Sequence, residues 1–408
     1  MFDFLLNEQE TAFCQEVREF VKNEVPSQMV RDMDNGEIES GRWFVEKAGP
    51  SGILGPRFPK EYGGRDLNWV TNVAACEEVG VLGTSLGCAY VMPSIVGEAV
   101  NLFGTEEQKT KYLAPTLAGK LYSAEALTEP RGGSDFFGAT TTAVEDGDAY
   151  LLNGEKRFVV GAQDSDWFLV YAKSAPEAPP HKSISCFIVE RDFGVEVQNI
   201  YQLMGTRGGG TGRLVFKDVR VPKENLVGKP HGAYDVFNRM MVPERLLSGA
   251  GAVGAGRAAL EVAARYSTRR KAFGKTINNF QAVSFMVADS AALLDAGRAI
   301  CYAAARLADS GGDARRLVSE AKKVATENSW DVVNKAMQIM GGIGYTTVYP
   351  IERLLRDGRL SMIWTGSNEI MNLLIQHEYY KELNAKAGQA RDIEQDAVTP
   401  DEAEKHYG

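Results

Sequence analysis

No Cys-x-x-Cys pair and no cluster of histidines occurs in the 408 residues. The five cysteines, Cys14, Cys76, Cys88, Cys186 and Cys301, are odd in number and scattered. Neither a disulfide framework nor a zinc site is expected, and a reducing compartment is implied. His181, His231, His377 and His406 are equally dispersed, which excludes a metal cluster and a histidine-dependent triad with a recognisable nucleophile motif. Basic blocks are missing too. With 45 Lys and Arg against 54 Asp and Glu, the formal charge is -9, and no aromatic-basic interleaving offsets it, so no nucleic-acid partner is expected. The opening Met1-Phe2-Asp3-Phe4-Leu5-Leu6-Asn7-Glu8 has no basic stretch and no long apolar run. That excludes a signal peptide or membrane anchor there, and a bacterial cytoplasmic location is the simplest expectation, with the mitochondrial matrix as its counterpart for a processed chain. Internal repeats and low-complexity blocks are also absent.

What is present is ordinary globular composition, 44% hydrophobic and 24% charged, in a chain long enough for two or three domains. Apolar residues at helical spacing run over 11–25 and again over 71–103, with loops marked by Ser51-Gly52-Ile53-Leu54-Gly55-Pro56 and Tyr62-Gly63-Gly64. The register then changes. Short β-branched or aromatic runs at 149–154, 167–172, 183–190 and 213–221 read as an antiparallel sheet, with 173–182 as an exposed loop. After Pro230 helical periodicity returns at 246–266, 282–309, 314–340 and 367–383, which suggests a four-helix bundle. The expected organisation is therefore α+β: an N-terminal α-helical domain (1–121), a middle antiparallel β domain (122–232), a C-terminal helical bundle (233–384) and a polar, acidic tail (385–408).

Two distant segments carry most of the functional information, Leu127-Thr128-Glu129-Pro130-Arg131-Gly132-Gly133-Ser134-Asp135 and Gln338-Ile339-Met340-Gly341-Gly342-Ile343-Gly344-Tyr345. Gly132 and Gly133 allow the main chain to approach a ligand, Thr128 and Ser134 supply hydroxyls, and backbone amides in such a turn suit phosphate oxygens. Either segment alone also reads as a plain turn. Together, in this order and at this separation, they resemble the two signature patterns of the acyl-CoA dehydrogenase flavoproteins, over residues 5 to 382.

The resemblance implies FAD between the β domain and the bundle. Leu127 and Thr128 would contact the isoalloxazine edge, and Gly133 and Ser134 would lie by the pyrophosphate or the substrate's pantetheine. Phe158 and Val160, in Phe158-Val159-Val160-Gly161, replace the Trp and Thr that relatives usually carry against the flavin; both also read as plain strand-core residues. Arg269-Arg270-Lys271-Ala272-Phe273-Gly274-Lys275 and Gln281 resemble the segment that reaches the FAD of a neighbouring subunit, Arg270 toward pyrophosphate. Arg269, Arg270 and Lys271 at a helix end equally complement its dipole. Gln338, Gly341 and Gly342 would serve the adenosine side, again across a subunit boundary, and Ser367 and Glu369 match positions near the FAD.

The implied reaction needs a base for the α-proton of a thioester, a flavin for the β-hydride and donors for the enolate oxygen. Most relatives place that base just before a Gly-Thr near the C-terminus, where this chain reads Trp364-Thr365-Gly366-Ser367. A threonine hydroxyl cannot do that work, although the Thr365 backbone N–H can still serve the oxyanion. In the isovaleryl and long-chain branches the base lies elsewhere, and alignment on Ala250-Gly251-Ala252-Val253-Gly254 puts Glu244, in Val242-Pro243-Glu244-Arg245, at that site. The other reading of Pro243-Glu244 is ordinary helix-start chemistry.

Arg245 and Gly366 join Ser134 as expected substrate contacts. Gly208-Gly209-Gly210 and Phe158 suggest added room, so a branched, ring-bearing or carboxylated acyl-CoA, such as an aryl-succinyl-CoA, is expected. By resemblance the partners are an acyl-CoA, electron-transfer flavoprotein and three further copies of the chain in a dimer of dimers. The alternatives are an oxygen-using flavin oxidase or monooxygenase on the same fold, and a non-catalytic CoA- or flavin-binding relative.

Overall fold

The computed structural model describes residues 2–385, 388–389 and 391–396, so the acidic tail expected over 385–408 lies largely outside the described residues. Helices come first: α1 (Glu8–Glu24), α2 (Ser27–Asn35), α3 (Arg42–Ala48), α4 (Trp69–Gly80) and α5 (Thr84–Phe103), then α6 (Glu106–Gln108) and α7 (Ala114–Leu117) joined by a π turn. A capping box starts α1, the Asn7 side chain accepting from the Glu10 N–H while the Glu10 carboxylate accepts from the Asn7 N–H. The run over 71–103 is two helices rather than one. Gly83, at φ 104°, separates them, and a β-carbon there would lie 2.3 Å from Arg353 Nη1. All of α4 is buried, so it lacks the polar stripe that would have marked its end. α5 is apolar and long enough to cross a membrane, yet 72% of its most apolar window is buried inside the protein, as in a core helix.

The middle of the chain forms one sheet from β1 (Ser123–Ala126), β2 (Thr142–Asp146), β3 (Ala149–Val159), β4 (Trp167–Lys173), β5 (Ile184–Glu190), β6 (Glu196–Ile200), β7 (Gly212–Pro222) and β8 (Leu226–Val227). Its order is β6-β7-β3-β2-β4-β5-β8, with β1 also on β4. The sheet is mixed, not purely antiparallel: β1 and β2 both run parallel to β4. β1, Ser-Ala-Glu-Ala, has no β-branched residue and owes its strand to this pairing, which is why the residues alone did not mark it. Leu169 and Tyr171 on one face of β4 pack with α5, while Phe168 and Val170 on the other face build a second core within the sheet.

The C-terminal part contains α8 (Ala233–Ser267), a small hairpin of β9 (Lys271–Ala272) and β10 (Lys275–Thr276), α9 (Gln281–Asp309), α10 (Arg315–Met340), α11 (Ile351–Leu360) and α12 (Asn368–Ala385). The short α11 joins the four expected helices. α8 begins well before residue 246 and carries Pro243 in its interior. Burial of Ala233, Val236, Met240 and Met241 against the sheet and α5 carries the helix through a proline that cannot donate to the Arg239 carbonyl. α4 and α8 meet backbone to backbone: a β-carbon on Gly80 would lie 2.5 Å from Gly251 O, and one on Gly254 2.3 Å from Glu77 O. Buried Glu77 accepts twice from Arg298, at 2.8 and 2.9 Å, and ties α4 to α9. These contacts fix α8, and with it Glu244, relative to the sheet.

Candidate active site

The sheet, α5, the first third of α8 and the segment after α11 enclose a cleft of about 420 Å³, within the ~300–1,000 Å³ usual for small-molecule sites. Val91, Met92 and Ile95 of α5, with Met241 and Phe237 of α8 and Phe136, make an apolar end. Phe136 and Phe237 stack with centroids 4.2 Å apart and planes at 8°. Leu127, Thr128, Gly133, Ser134, Phe158 and Val160 line the same space, as do Glu244, Arg245, Thr365, Gly366 and Ser367. One cavity thus gathers residues from three regions of the chain.

Glu129 holds the first segment in place. Its buried carboxylate accepts from Lys156 Nζ at 2.6 Å, Thr141 N at 3.0 Å and the backbone and hydroxyl of Thr140, while Lys156 also donates to Leu127 O at 3.2 Å. Burial by itself would raise the Glu129 pKa; Lys156 and these hydrogen bonds hold it below the ordinary value. Phe158 is not strand core. It stands at the cleft with 53% of its surface exposed, in the left-handed region at φ 55°, with Tyr201 at 5.0 Å between ring centroids. Val160 is half-buried just beyond β3 and also faces the cleft.

The segment carrying Thr365 is fastened at three points. Trp364 Nε1 donates to Ser248 Oγ at 2.8 Å, Arg245 Nε to Thr365 O at 3.4 Å, and buried Lys322 to Gly366 O at 3.0 Å and Asn368 Oδ1 at 2.8 Å. Burial, then the nearby Arg245, brings the Lys322 pKa down to about 8. Thr365 and Gly366 are both left-handed, at φ 55° and 80°. For a β-branched residue this conformation costs of order 1–3 kcal/mol, and these anchors sustain it.

Glu244 lies within α8, not at its start, so the helix-start reading fails: the first turn is at Ala233. Its Oε2 is buried with no hydrogen-bond partner among the described residues, as is Thr365 Oγ1. Burial raises the Glu244 pKa to about 7, against the opposing pull of Arg245 and Lys322. A carboxylate poised near neutrality on the wall of a largely apolar cleft is what general-base chemistry requires. A second carboxyl, Glu125 of β1, was missed. It lines the same cleft, its Oε1 is buried without a partner, and burial followed by the charge of Glu244 keeps its pKa well above the usual range. The only sequence signal was an acidic residue between two alanines in a weak strand.

Sequence models for the acyl-CoA dehydrogenase N-terminal, middle and C-terminal domains match residues 7–120, 124–219 and 231–379. The chain is 34% identical over 384 residues to the short-chain-specific acyl-CoA dehydrogenase of Clostridium acetobutylicum, covering 93% of this chain and 100% of the relative. The chain belongs to the acyl-CoA dehydrogenase family. It is also 36% identical over 363 residues to CarC, a subunit of the caffeyl-CoA reductase-Etf complex of Acetobacterium woodii, covering 88% and 94% of the two. A chain in the solved structure of the electron-transferring flavoprotein of Acidaminococcus fermentans, studied for flavin-based electron bifurcation, superposes with a TM-score of 0.89 at 34% identity, covering 93% of this chain and 99% of that one.

Acyl-CoA dehydrogenases are flavin-dependent oxidoreductases with FAD as cofactor. The cleft suits such a group: a wall of Leu127, Phe158 and Val160 for a flat ring system, and polar atoms such as Thr365 Oγ1 and Arg157 Nε that are buried without a protein partner. The other expected FAD residues are not brought to this cleft within one chain. Arg270 and Phe273 lie on the β9–β10 hairpin, Gln281 opens α9, Gln338 is near the end of α10, and Gly341 and Gly342 follow it. All six are exposed, and the segments of Gln281, Gln338, Gly341 and Gly342 meet at one end of the bundle, where half-buried Val283, Met286, Met337 and Ile343 pack against a core that includes Ala259, Ala263 and Ile339. Glu369 is exposed in the first turn of α12.

Proposed function

We propose that this protein dehydrogenates an acyl-CoA thioester across its α and β carbons, with Glu244 as the base for the α-proton. The observation that carries this reading is the unpartnered, buried Glu244 carboxyl in the same cleft as Thr365, which occupies the position of the usual base. Leu127, Thr128, Gly133, Ser134, Phe158, Val160, Ser367 and Glu369 would hold FAD, which when bound supplies the acceptor for the hydride leaving the β-carbon. The Thr365 N–H would donate to the enolate oxygen, with Arg245 and Gly366 keeping that segment in register. Val91, Met92, Ile95 and Met241 would exclude water from the thioester, strengthening both effects.

The stacked Phe136 and Phe237 support a branched or ring-bearing acyl group, and a carboxylated one is less suited because two carboxyls already face the cleft. Electron-transfer flavoprotein is the proposed redox partner, a reading supported by CarC, a relative named as a subunit of a caffeyl-CoA reductase-Etf complex, and by the likeness to a chain in the solved structure of an electron-transferring flavoprotein. A homotetramer is proposed from the exposed apolar residues at the remote end of the bundle, Phe273 at 95% and Tyr345 at 80% exposure among them. In it Arg270, Phe273, Gln281, Gln338, Gly341 and Gly342 would complete a neighbour's FAD site. The cytoplasm, or the mitochondrial matrix for a processed chain, fits its five buried free cysteines. The same arrangement can run in reverse, Glu244 returning the proton, which is the direction named for caffeyl-CoA reductase.

Anaerobic titration of the purified yellow protein with butyryl-, isovaleryl-, 3-phenylpropionyl- and benzylsuccinyl-CoA tests this reading. Loss of the flavin's visible absorbance with at least one, greatest for a branched or ring-bearing thioester, is the expected result. Absorbance unchanged by every thioester would overturn it.

A further inference from the structure

The feature that the proposed reaction leaves without a task is Glu125. Strand alternation puts Ala124 and Ala126 into the core inside the sheet, where they pack with Phe168 and Val170, and turns Glu125 to the opposite face. Its register partner on β4 is Leu169, which packs with Met92, Ile95, Phe136 and Met241. A carboxyl group therefore stands beside the apolar end of the cleft, its Oε1 buried with no hydrogen-bond partner among the described residues. Lys156, a buried cation whose charge acts on it, is already committed to Glu129 and Leu127 O. A polar group left unpaired there is costly to the free protein, and a ligand that satisfies it recovers that cost on binding.

Three kinds of substituent could meet a carboxyl, and the neighbourhood separates them. An ammonium would lie in the field of both Glu125 and Glu244 and would stabilise the ionised form of Glu244, weakening it as a base. A carboxylate would bring a third acidic group to a site where the charge of Glu244 already raises the cost of ionising Glu125. A neutral hydroxyl has neither drawback. It can both donate to and accept from a protonated carboxyl, the form that burial favours for Glu125.

Resting on the reading of this cleft as the acyl-CoA site, we propose that Glu125 is a specificity-determining residue that hydrogen-bonds an alcohol or phenol hydroxyl carried on the acyl group. The substrate class is then a hydroxylated acyl-CoA, with the ring or chain lodged between α5 and the stacked Phe136 and Phe237. A site built around a buried hydrogen-bonding group discriminates strongly against analogues that leave it unpaired, by far more than an apolar pocket discriminates a methylene.

The test compares kcat/KM for anaerobic flavin reduction on matched thioesters: 3-phenylpropionyl- with 3-(4-hydroxyphenyl)propionyl-CoA, and hexanoyl- with 4-, 5- and 6-hydroxyhexanoyl-CoA. Adipoyl- and 6-aminohexanoyl-CoA serve as charged controls. The expected result is a preference of about 10²-fold or more for at least one hydroxylated member over its parent, on the scale of polar-group discrimination. Glu125→Leu should reverse that preference, and Glu125→Gln, whose amide also donates and accepts, should keep part of it. No preference for any hydroxylated member, a preference for either charged control, or an unchanged ratio in Glu125→Leu would overturn the proposal. Failure of the underlying reading gives a different pattern: no thioester reduces the flavin, or Glu244→Gln reduces it at the normal rate while the Glu125 ratios still change.

Discussion

Replacing Glu244 with Gln keeps the shape and volume of the side chain and removes only its ability to take a proton. Because Glu244 Oε2 has no partner among the described residues, the substitution breaks no hydrogen bond there, so FAD and acyl-CoA should still bind. General-base catalysis contributes about 10²–10⁴-fold, or about 3–5 kcal/mol of barrier, and that loss should appear in the stopped-flow rate of anaerobic flavin reduction. With its pKa raised by burial to about 7, wild-type Glu244 should give a rate that falls tenfold per pH step below that value, whereas the variant's residual rate should be flat. Stability supplies an independent readout. The folded protein keeps the Glu244 proton between the ordinary 4.5 and about 7, whereas the unfolded chain has released it. The group's contribution is therefore fully present below pH 4.5 and is lost as pH rises through 7, a change of about 3 kcal/mol. Gln does not titrate, so its stability relative to wild type should rise by about that much over the same window in urea unfolding. Normal flavin reduction in the variant, or a stability difference that does not change with pH, would refute the reasoning.

Two further substitutions probe how the site is held. Lys156→Met leaves the Glu129 carboxylate buried without its cation, which should cost about 3–5 kcal/mol in chemical denaturation and release FAD as the turn at Leu127 loosens; retention of both stability and cofactor would deny the pair that role. Pro243→Ala restores a donor to the Arg239 carbonyl and should stabilise α8 by up to about 3 kcal/mol. The same change should slow flavin reduction, because the turn that carries Glu244 no longer has to accommodate the ring. An unchanged rate would mean that the proline takes no part in aiming the carboxylate.

Much of the fold was legible because it rests on local pattern. The helices of the bundle show sustained apolar periodicity, and 167–172 and Cys186–Val189 are continuous apolar runs because both faces of those strands are covered. The first glycine-rich segment was legible as a turn, and the structure places Leu127, Thr128, Gly133 and Ser134 on the cleft, with the threonine at position 365 on the same cleft. Where burial is complete or a strand is short, local pattern fails. α4 shows no polar face to mark its end, β1 has no strand-forming residues, and the proline at 243 reads as a helix start although packing against the sheet carries the helix through it.

The amino-acid sequence by itself determined which chemical groups this protein has available: a carboxylate beside Arg245, no carboxylate at position 365, and backbone turns that can admit a flavin. Tertiary structure alone decided their environment. It buried Glu244 and brought its pKa close to neutrality, turned Glu125 toward the same cleft, and left Arg270 and Gln338 exposed at the far end of the bundle. The reason is physical: periodicity and turn chemistry act between residues close along the chain, whereas desolvation and the pairing of charges depend on which distant segments are packed around a group.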